Sequence, residues 1–176
     1  MADQRARRIV IGRWKRWNDS FEGSVNVTDE TIRDRATRIA DAQAKIEADV
    51  DVWVSSAGED GNGYLVPLSY YWDGVRMTMA AHSRSPTVVN LARSGWARVA
   101  LGPTRDVVII EGAVEVFSTD GQDELAAAHA AGAGFDTRLE EAPYSFIQLT
   151  PDTIQAWRNA PELRGRTVMR DGTWLV

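Results

Sequence analysis

The chain has 176 residues, 44% of them hydrophobic and 26% charged, with a formal net charge of −5. That length suits one domain with a real buried core, and the acidic balance argues against general nucleic-acid binding. Cysteine is absent and histidine occurs only at 82 and 129, which removes disulfides, thiolate nucleophiles and iron–sulfur clusters and argues against a His-rich metal site.

The chain begins with a basic arm, residues 1–27. Arg5, Arg7, Arg8, Arg13, Lys15 and Arg16 crowd its first part against Asp3 alone, with Trp14 and Trp17 among them. Such an arm can follow phosphates or an acidic partner. It reads first as a solvated arm that packs its tryptophans on a neighbouring subunit, or as a poorly ordered terminus, so nucleic acid is not an expected partner. The arm lacks the apolar core of a secretory signal, and no later run reaches the ~20 apolar residues of a membrane span. No membrane contact is expected, and the expected location is the cytoplasm.

The folded domain is expected over 28–176. Thr28 reads as the N-cap of a helix running to about Asp49, with Asp29 and Glu30 in its first turn and Ile32, Ala36, Ile39, Ala42 and Ile46 along one face. "VDVWVSSA" follows as a strand. "YLVPLSYYW" and "VRMTMAA" flank Asp73-Gly74, a strong hairpin signal, and Pro67 marks its strand as an edge or a bulge. Ser85-Pro86 then starts a short helix, with Val88, Val89 and Leu91 as its buried face and Gly95 as its stop.

"WARVALG" and "RDVVIIEGAVEVF" are strands, the second with Gly112 at a bulge or a close approach. "DELAAAHAAGAG" is a short helix. "YSFIQLT" and "TIQAWR" are expected as two strands separated by Pro151, and "VMRDGTWLV" closes with a second Asp-Gly hairpin. Many short strands with few helices predict a mainly β fold, an antiparallel barrel with peripheral helices.

The stretch "MTMAAHSRSPTVVNLARSG" carries the candidate site. A helix N-terminus offers free N–H groups and a positive dipole, and His82, Ser83, Arg84 and Ser85 bring hydroxyls and a guanidinium to it, which suits a phosphate. The same residues also read as a capped helix with a solvent-facing arginine. Ala80 and Ala81, small where a core strand carries bulk, leave room for a flat ligand against the backbone. With so few side chains suited to acid–base or nucleophilic work, a bound cofactor would carry the hard chemistry.

The succession "PLSYYWDGVRM", "SRSPTVVNL", "ARVALG" and "RDVVIIEGAVEV" resembles the pyridoxamine 5′-phosphate oxidase-like family of flavin-binding split β-barrels. The ending "IQAWRNAPELRGRTVMRDGTWLV" looks like its actinobacterial flavin- or deazaflavin-dependent branch. The resemblance implies FMN, or alternatively a deazaflavin coenzyme, held between the two subunits of a homodimer. It implies a phosphate grip at Ser83 and Arg84 with Ser85 in support, and Val66, Pro67 and Leu68 running along the ring. Met79, Ala80 and Ala81 would form the adjoining wall, Asn90 would hold the helix, and Trp157 and Arg158 would reach the cofactor from one subunit or the other; Trp157 reads equally as a barrel plug.

The basic residue that often follows the Ser-Arg pair is Ser85 here. The arginine–histidine signature for pyridoxamine phosphate is replaced by "ELRGRTVMRDG", so vitamin B6 oxidation is not the expected activity. The implied function is an oxidoreductase moving a hydride between the cofactor and a small, conjugated organic substrate. The alternative is a noncatalytic flavin carrier of the same fold.

Overall fold

The computed structural model describes residues 32–176. Its strands follow from alternation. In β1 (Asp51–Ala57) every second side chain is buried, and β4 (Trp96–Leu101) repeats the pattern, the period of a strand with one face on a core. With β2 (Gly63–Trp72), β3 (Met77–His82), β5 (Val107–Ser118) and β6 (Tyr144–Trp157), these pair antiparallel in the order β3-β2-β1-β4-β5-β6. β3 also pairs with β6, from Met77↔Leu149 to His82↔Tyr144, which closes a six-stranded barrel. β7 (Thr167–Arg170) and β8 (Thr173–Trp174) continue the sheet beyond β6. The fold is the mainly β barrel expected from the sequence.

Val52, Val54, Met77, Met79, Val99, Ile110, Leu149 and Ile154 fill the barrel, each essentially without solvent contact. Three α-helices among the described residues lie outside it: α1 (Arg35–Ala48), α2 (Pro86–Ser94) and α3 (Asp123–Ala133).

α1 begins later than the periodicity predicts. Asp34 caps it, accepting the Thr37 N–H at 2.8 Å, and only Ile39, Ala42 and Ile46 of the expected stripe are buried. Ala36 and Ile32 face solvent. The expected cap Thr28 with Asp29 and Glu30, and the basic arm 1–27, lie outside the described residues.

The hairpin at Asp73-Gly74 is present, with a loop longer than the dipeptide. The Asp73 carboxylate accepts the N–H groups of Val75 and Arg76, so β3 starts at Met77. The last hairpin is tighter. Asp171 (φ 49°) and Gly172 (φ 67°) both adopt the left-handed conformation that a two-residue turn between twisted strands demands.

Pro67 pairs with Trp53 on β1, whereas β3 meets β2 only at Tyr70–Trp72. The missing N–H of Pro67 therefore falls on a stretch with one unpaired edge, as a strand proline requires.

Gly112 lies at a register shift in β5, where any Cβ would overlap the Thr150 carbonyl. That close approach corrects the expected break at Pro151. Pro151 pairs with Gly112 at the bulge, and β6 runs unbroken through it. β6 itself carries the irregularity, with Asp152 as the extra residue opposite the Glu111–Gly112 step of β5, so one long strand connects two distant regions of the molecule.

Candidate functional site

A cleft of about 350 Å³ opens where β2, β3 and β6 meet α3. That volume lies within the range of small-molecule sites. One wall is Pro67, Leu68 and Ser69 of β2, and another is Ala80, Ala81 and His82 of β3. His129, Phe135 and Tyr144 complete it. Two short stretches named from the sequence, separated by a hairpin, thus face each other across one cavity.

The strand period sorts the residues of β3. Met77, Met79 and Ala81 belong to the barrel core, and Ala80 and His82 alternate with them on the other side, only partly buried. Met79 is 0% exposed, so its side chain is a core side chain and only its backbone runs past the cleft. Val66 is partly buried on β2, opposite Val54, next to the cleft residues.

The turn after β3 is held by several short bonds. Ser83 N–H donates to the Pro143 carbonyl at 2.9 Å, and the Ser145 hydroxyl donates to the Ser83 hydroxyl at 2.9 Å. Arg84 N–H donates to His82 Nδ1 at 3.1 Å. Ser85 caps α2, its Oγ accepting the Val88 N–H at 3.3 Å. The Arg84 side chain projects into solvent with no carboxylate partner among the described residues. A rigid turn thus presents a guanidinium beside a helix N-terminus, a combination suited to an anion.

Helix α2 is fastened from below. Asn90 is buried and donates to the Ser56 hydroxyl of β1 at 3.2 Å. Thr87, Val88 and Leu91 are buried with it, but Val89 is 56% exposed, contrary to the expected buried face. One residue beyond Val88 is a 100° turn of the helix, and that turn carries Val89 away from the barrel.

His129 lines the cleft although nothing in the local sequence marks it as a site residue. Ala126, His129 and Ala133 recur along one side of α3 and are its buried residues. Gly132 lets the helix approach β2, since a Cβ there would come within 2.8 Å of the Tyr71 ring. His129 is 1% exposed, and burial pushes its basicity down, so the ring is held neutral. Its Nδ1 is bonded to the Phe135 carbonyl, while Nε2 has no partner among the described residues. The helical spacing made its burial legible, but the packing of α3 on β2 was not.

Trp157 and Arg158 are not brought to this cleft within the chain. They end β6, whereas Tyr144, which lines the cleft, begins it. Trp157 lies under the Arg166 guanidinium, 5.6 Å from the ring centroid. Arg158 joins Asp106 at 3.2 Å and Asp41 at 3.4 Å. Its backbone N–H donates to Glu162 at 2.8 Å, a carboxylate also gripped by Arg33. The hydrogen bond from Arg33 outweighs the cost of burial and pulls the Glu162 carboxyl down to about 2.

The barrel and its cleft define a class, closed antiparallel barrels with a cleft against the outside of the wall. The family is more specific. Residues 22–158 match the family model described as Pyridoxamine 5′-phosphate oxidase, and the chain belongs to that family.

Solved structures share the fold at low identity. A heme binding protein from Mycobacterium smegmatis superposes with a TM-score of 0.62 at 16% identity, over 81% of this chain and 60% of that one. This chain therefore spans less than two thirds of that protein's length. General Stress Protein 26 from Bacillus anthracis gives 0.55 at 17% identity, over 67% and 92% of the two chains. A protein named F420 reductase gives 0.54 at 12% identity, over 64% and 94%. At these identities the likeness is one of fold. No curated protein matches the chain.

Proposed function

We propose that this chain is a flavin- or deazaflavin-dependent oxidoreductase acting on a small, conjugated organic molecule. The observation that carries the reading is the cleft itself, which joins Pro67 and Leu68 to Ala80, Ala81 and His82 beside the Ser83–Ser85 turn. The residues present fit such a cofactor. The small side chain of Ala80 leaves a flat wall, and the Arg84 guanidinium, which has no carboxylate partner among the described residues, suits a phosphate together with the α2 N-terminus. FMN is the leading candidate and the deazaflavin coenzyme the alternative. The family match and the F420 reductase likeness support both.

When bound, the cofactor would supply hydride transfer. The chain's own residues would bind, orient and exclude water, which requires neither cysteine nor an acid–base pair. Arg84 and the N-terminus of α2 would hold the phosphate end. Val66, Pro67 and Leu68 would line one side of the ring through their backbone, and Ala80 would face it from β3.

A second copy of the chain completes the reading. Trp53 and Leu65 stand 51% and 60% exposed on the outer wall, and Trp53 pairs with Pro67 in the sheet. The exposed apolar face thus runs into the cleft at Pro67, and a partner covering that face would close the cleft at the same time. Within such a dimer, Trp157 and Arg158 would reach a cofactor only across the interface.

The test is a titration of purified protein with FMN and with the deazaflavin coenzyme, following tryptophan quenching, alongside light scattering. Micromolar binding of either one by a dimer is expected, and electron acceptors should then reoxidise the reduced, bound cofactor. A protein that binds neither, or that is a stable monomer in dilute solution, defeats the reading. Binding without turnover would leave the carrier alternative.

A further inference from the structure

We infer that His82 is a positioning residue that joins the two ends of the cofactor site: its imidazole lines the cleft, and its Nδ1 fixes the turn from which Arg84 projects. The inference rests on the cleft being the seat of the ring and on Arg84 meeting the phosphate.

The turn after β3 is bonded at each of its amides. The Ser83 N–H donates to the Pro143 carbonyl at 2.9 Å, and the Ser85 N–H donates to the His82 carbonyl at 2.8 Å. Between them, the Arg84 N–H donates to His82 Nδ1 at 3.1 Å. Two of the three acceptors therefore belong to His82. A side chain at the first position of a turn that accepts the N–H two residues on is ordinarily the oxygen of Asp or Asn. Here a ring nitrogen takes that place. Nδ1 accepts, so it carries no proton, and the ring brings no negative charge to the turn. An aspartate at this position would accept the same N–H, but its carboxylate would also compete with an anion for the Arg84 guanidinium.

The imidazole adds reach. His82 and Ala80 alternate with the core residues of β3, and both line the cavity. The ring stands edge-on to Tyr144, another lining residue, with centroids 6.1 Å apart and planes at 72°. Tyr144 is also the ladder partner of His82 on β6, next to the Pro143 carbonyl that holds Ser83. One side chain thus ties the wall of the cleft to the backbone of the Arg84 turn. A ligand that spans both meets a turn already ordered, which lowers the cost of binding its anionic end.

The experiment separates the two roles of His82. FMN and riboflavin share the ring and differ by the phosphate, so the ratio of their affinities reads the phosphate contact. Both are titrated against the full chain as wild type, His82→Phe and His82→Asn, following tryptophan quenching. Should only the deazaflavin coenzyme bind, it is compared with its phosphate-free riboside in the same way. Wild type should prefer the phosphorylated form about ten- to a hundredfold. His82→Phe keeps a ring in the wall and removes the acceptor. Its preference should fall about two- to tenfold while riboflavin affinity holds, because the turn must then be ordered on binding. His82→Asn keeps an acceptor for the Arg84 N–H and gives up the ring, so it should retain the preference and bind both flavins more weakly. A merely structural role would lower the stability of both variants without moving the ratio. An undiminished preference in His82→Phe overturns the inference, as does an equal fall in both variants. A wild type that binds both flavins equally overturns it too, and leaves the ring in the cleft. Failure to bind either cofactor defeats the cofactor reading and this inference with it. Should His82→Phe fail to fold, His82→Ala reads the same ratio, and loss of the preference in His82→Asn still overturns the inference.

Discussion

The two ends of β6 carry opposite chemistry. At the Trp157 end, charges are gathered and paired. Arg33 donates to Glu162 at 2.7 Å and to Asp41 at 2.7 Å, and Arg158 and Lys45 both close on Asp106. At the Tyr144 end, a charge is left over. Arg84 has no carboxylate among the described residues, and the cavity beside it is open. Burying an ion is tolerable only when it is paired, so the first end holds the C-terminal segment to α1. Groups without protein partners at an open cleft are what a ligand uses. The comparison teaches where Arg158 belongs within one chain: with the ion pairs.

Breaking the saturated end should give the largest effect. Glu162 is 4% exposed and answers both Arg33 and the Arg158 N–H. Glu162→Ala leaves a nearly buried guanidinium short of its partner and should cost about 3–5 kcal/mol by chemical denaturation. Cofactor affinity in the fraction that stays folded should not change. Loss of cofactor at equal stability would show that the two ends are coupled.

Acid probes the same contrast without a substitution. The Glu162 carboxyl titrates at about 2 in the folded chain against an ordinary value of 4.5. Its stabilisation is therefore complete above about pH 4.5 and fades as the pH falls towards 2. Wild type should lose on the order of 2 kcal/mol across that window, and Glu162→Gln should show a flatter profile there. Parallel profiles would remove Glu162 as the group responsible.

At the open end the signs reverse. Arg84→Ala should leave the midpoint of unfolding in place and weaken FMN binding about ten- to a hundredfold, the worth of a charge-assisted contact of roughly 1.5–3 kcal/mol. Unchanged affinity would put the phosphate elsewhere.

What was legible in the sequence was local. The Ser85 cap, the Gly95 stop (φ 62°), the Asp-Gly hairpins and the Gly112 bulge each follow from the geometry that one residue type permits. The resemblance sets Pro67 and Leu68 beside Ala80 and Ala81, the local pattern adds His82, and all five line one cavity. What failed was pairwise and remote. Pro151 reads as a strand break until β6 bulges beside it, with Asp152 as the extra residue opposite the Glu111–Gly112 step of β5. His129 reads as one histidine on an alanine-rich helix until Gly132 lets that helix approach Tyr71. The buried Arg38, bonded to the Gly165 carbonyl at 2.8 Å, carried no signal at all, because its acceptor lies far along the chain.

The two alanines of β3 sharpen the contrast at the scale of one residue. Ala81 is a core residue at 8% exposure, while Ala80 turns to the other side. Ala81→Leu should therefore overpack the barrel and cost about 1–3 kcal/mol. Ala80→Leu should fold and dimerise but lose the flavin. If both keep full cofactor affinity, the cleft is ordinary packing.

The smallest effect tests the residue on which the two ends dispute. Trp157 terminates β6 among the charges and packs under Arg166, whose Nε also donates to Gln155 at 2.7 Å. A cation over an aromatic face at a partly exposed site contributes about 0.5–1 kcal/mol. Arg166→Gln should lower stability by roughly that amount and shift the tryptophan emission, since the indole loses its charged neighbour. If Trp157 serves only the charged end, FMN affinity stays the same in this variant. If affinity falls in step with stability, the indole reaches the cofactor of a second copy, and the two ends of β6 meet across the dimer.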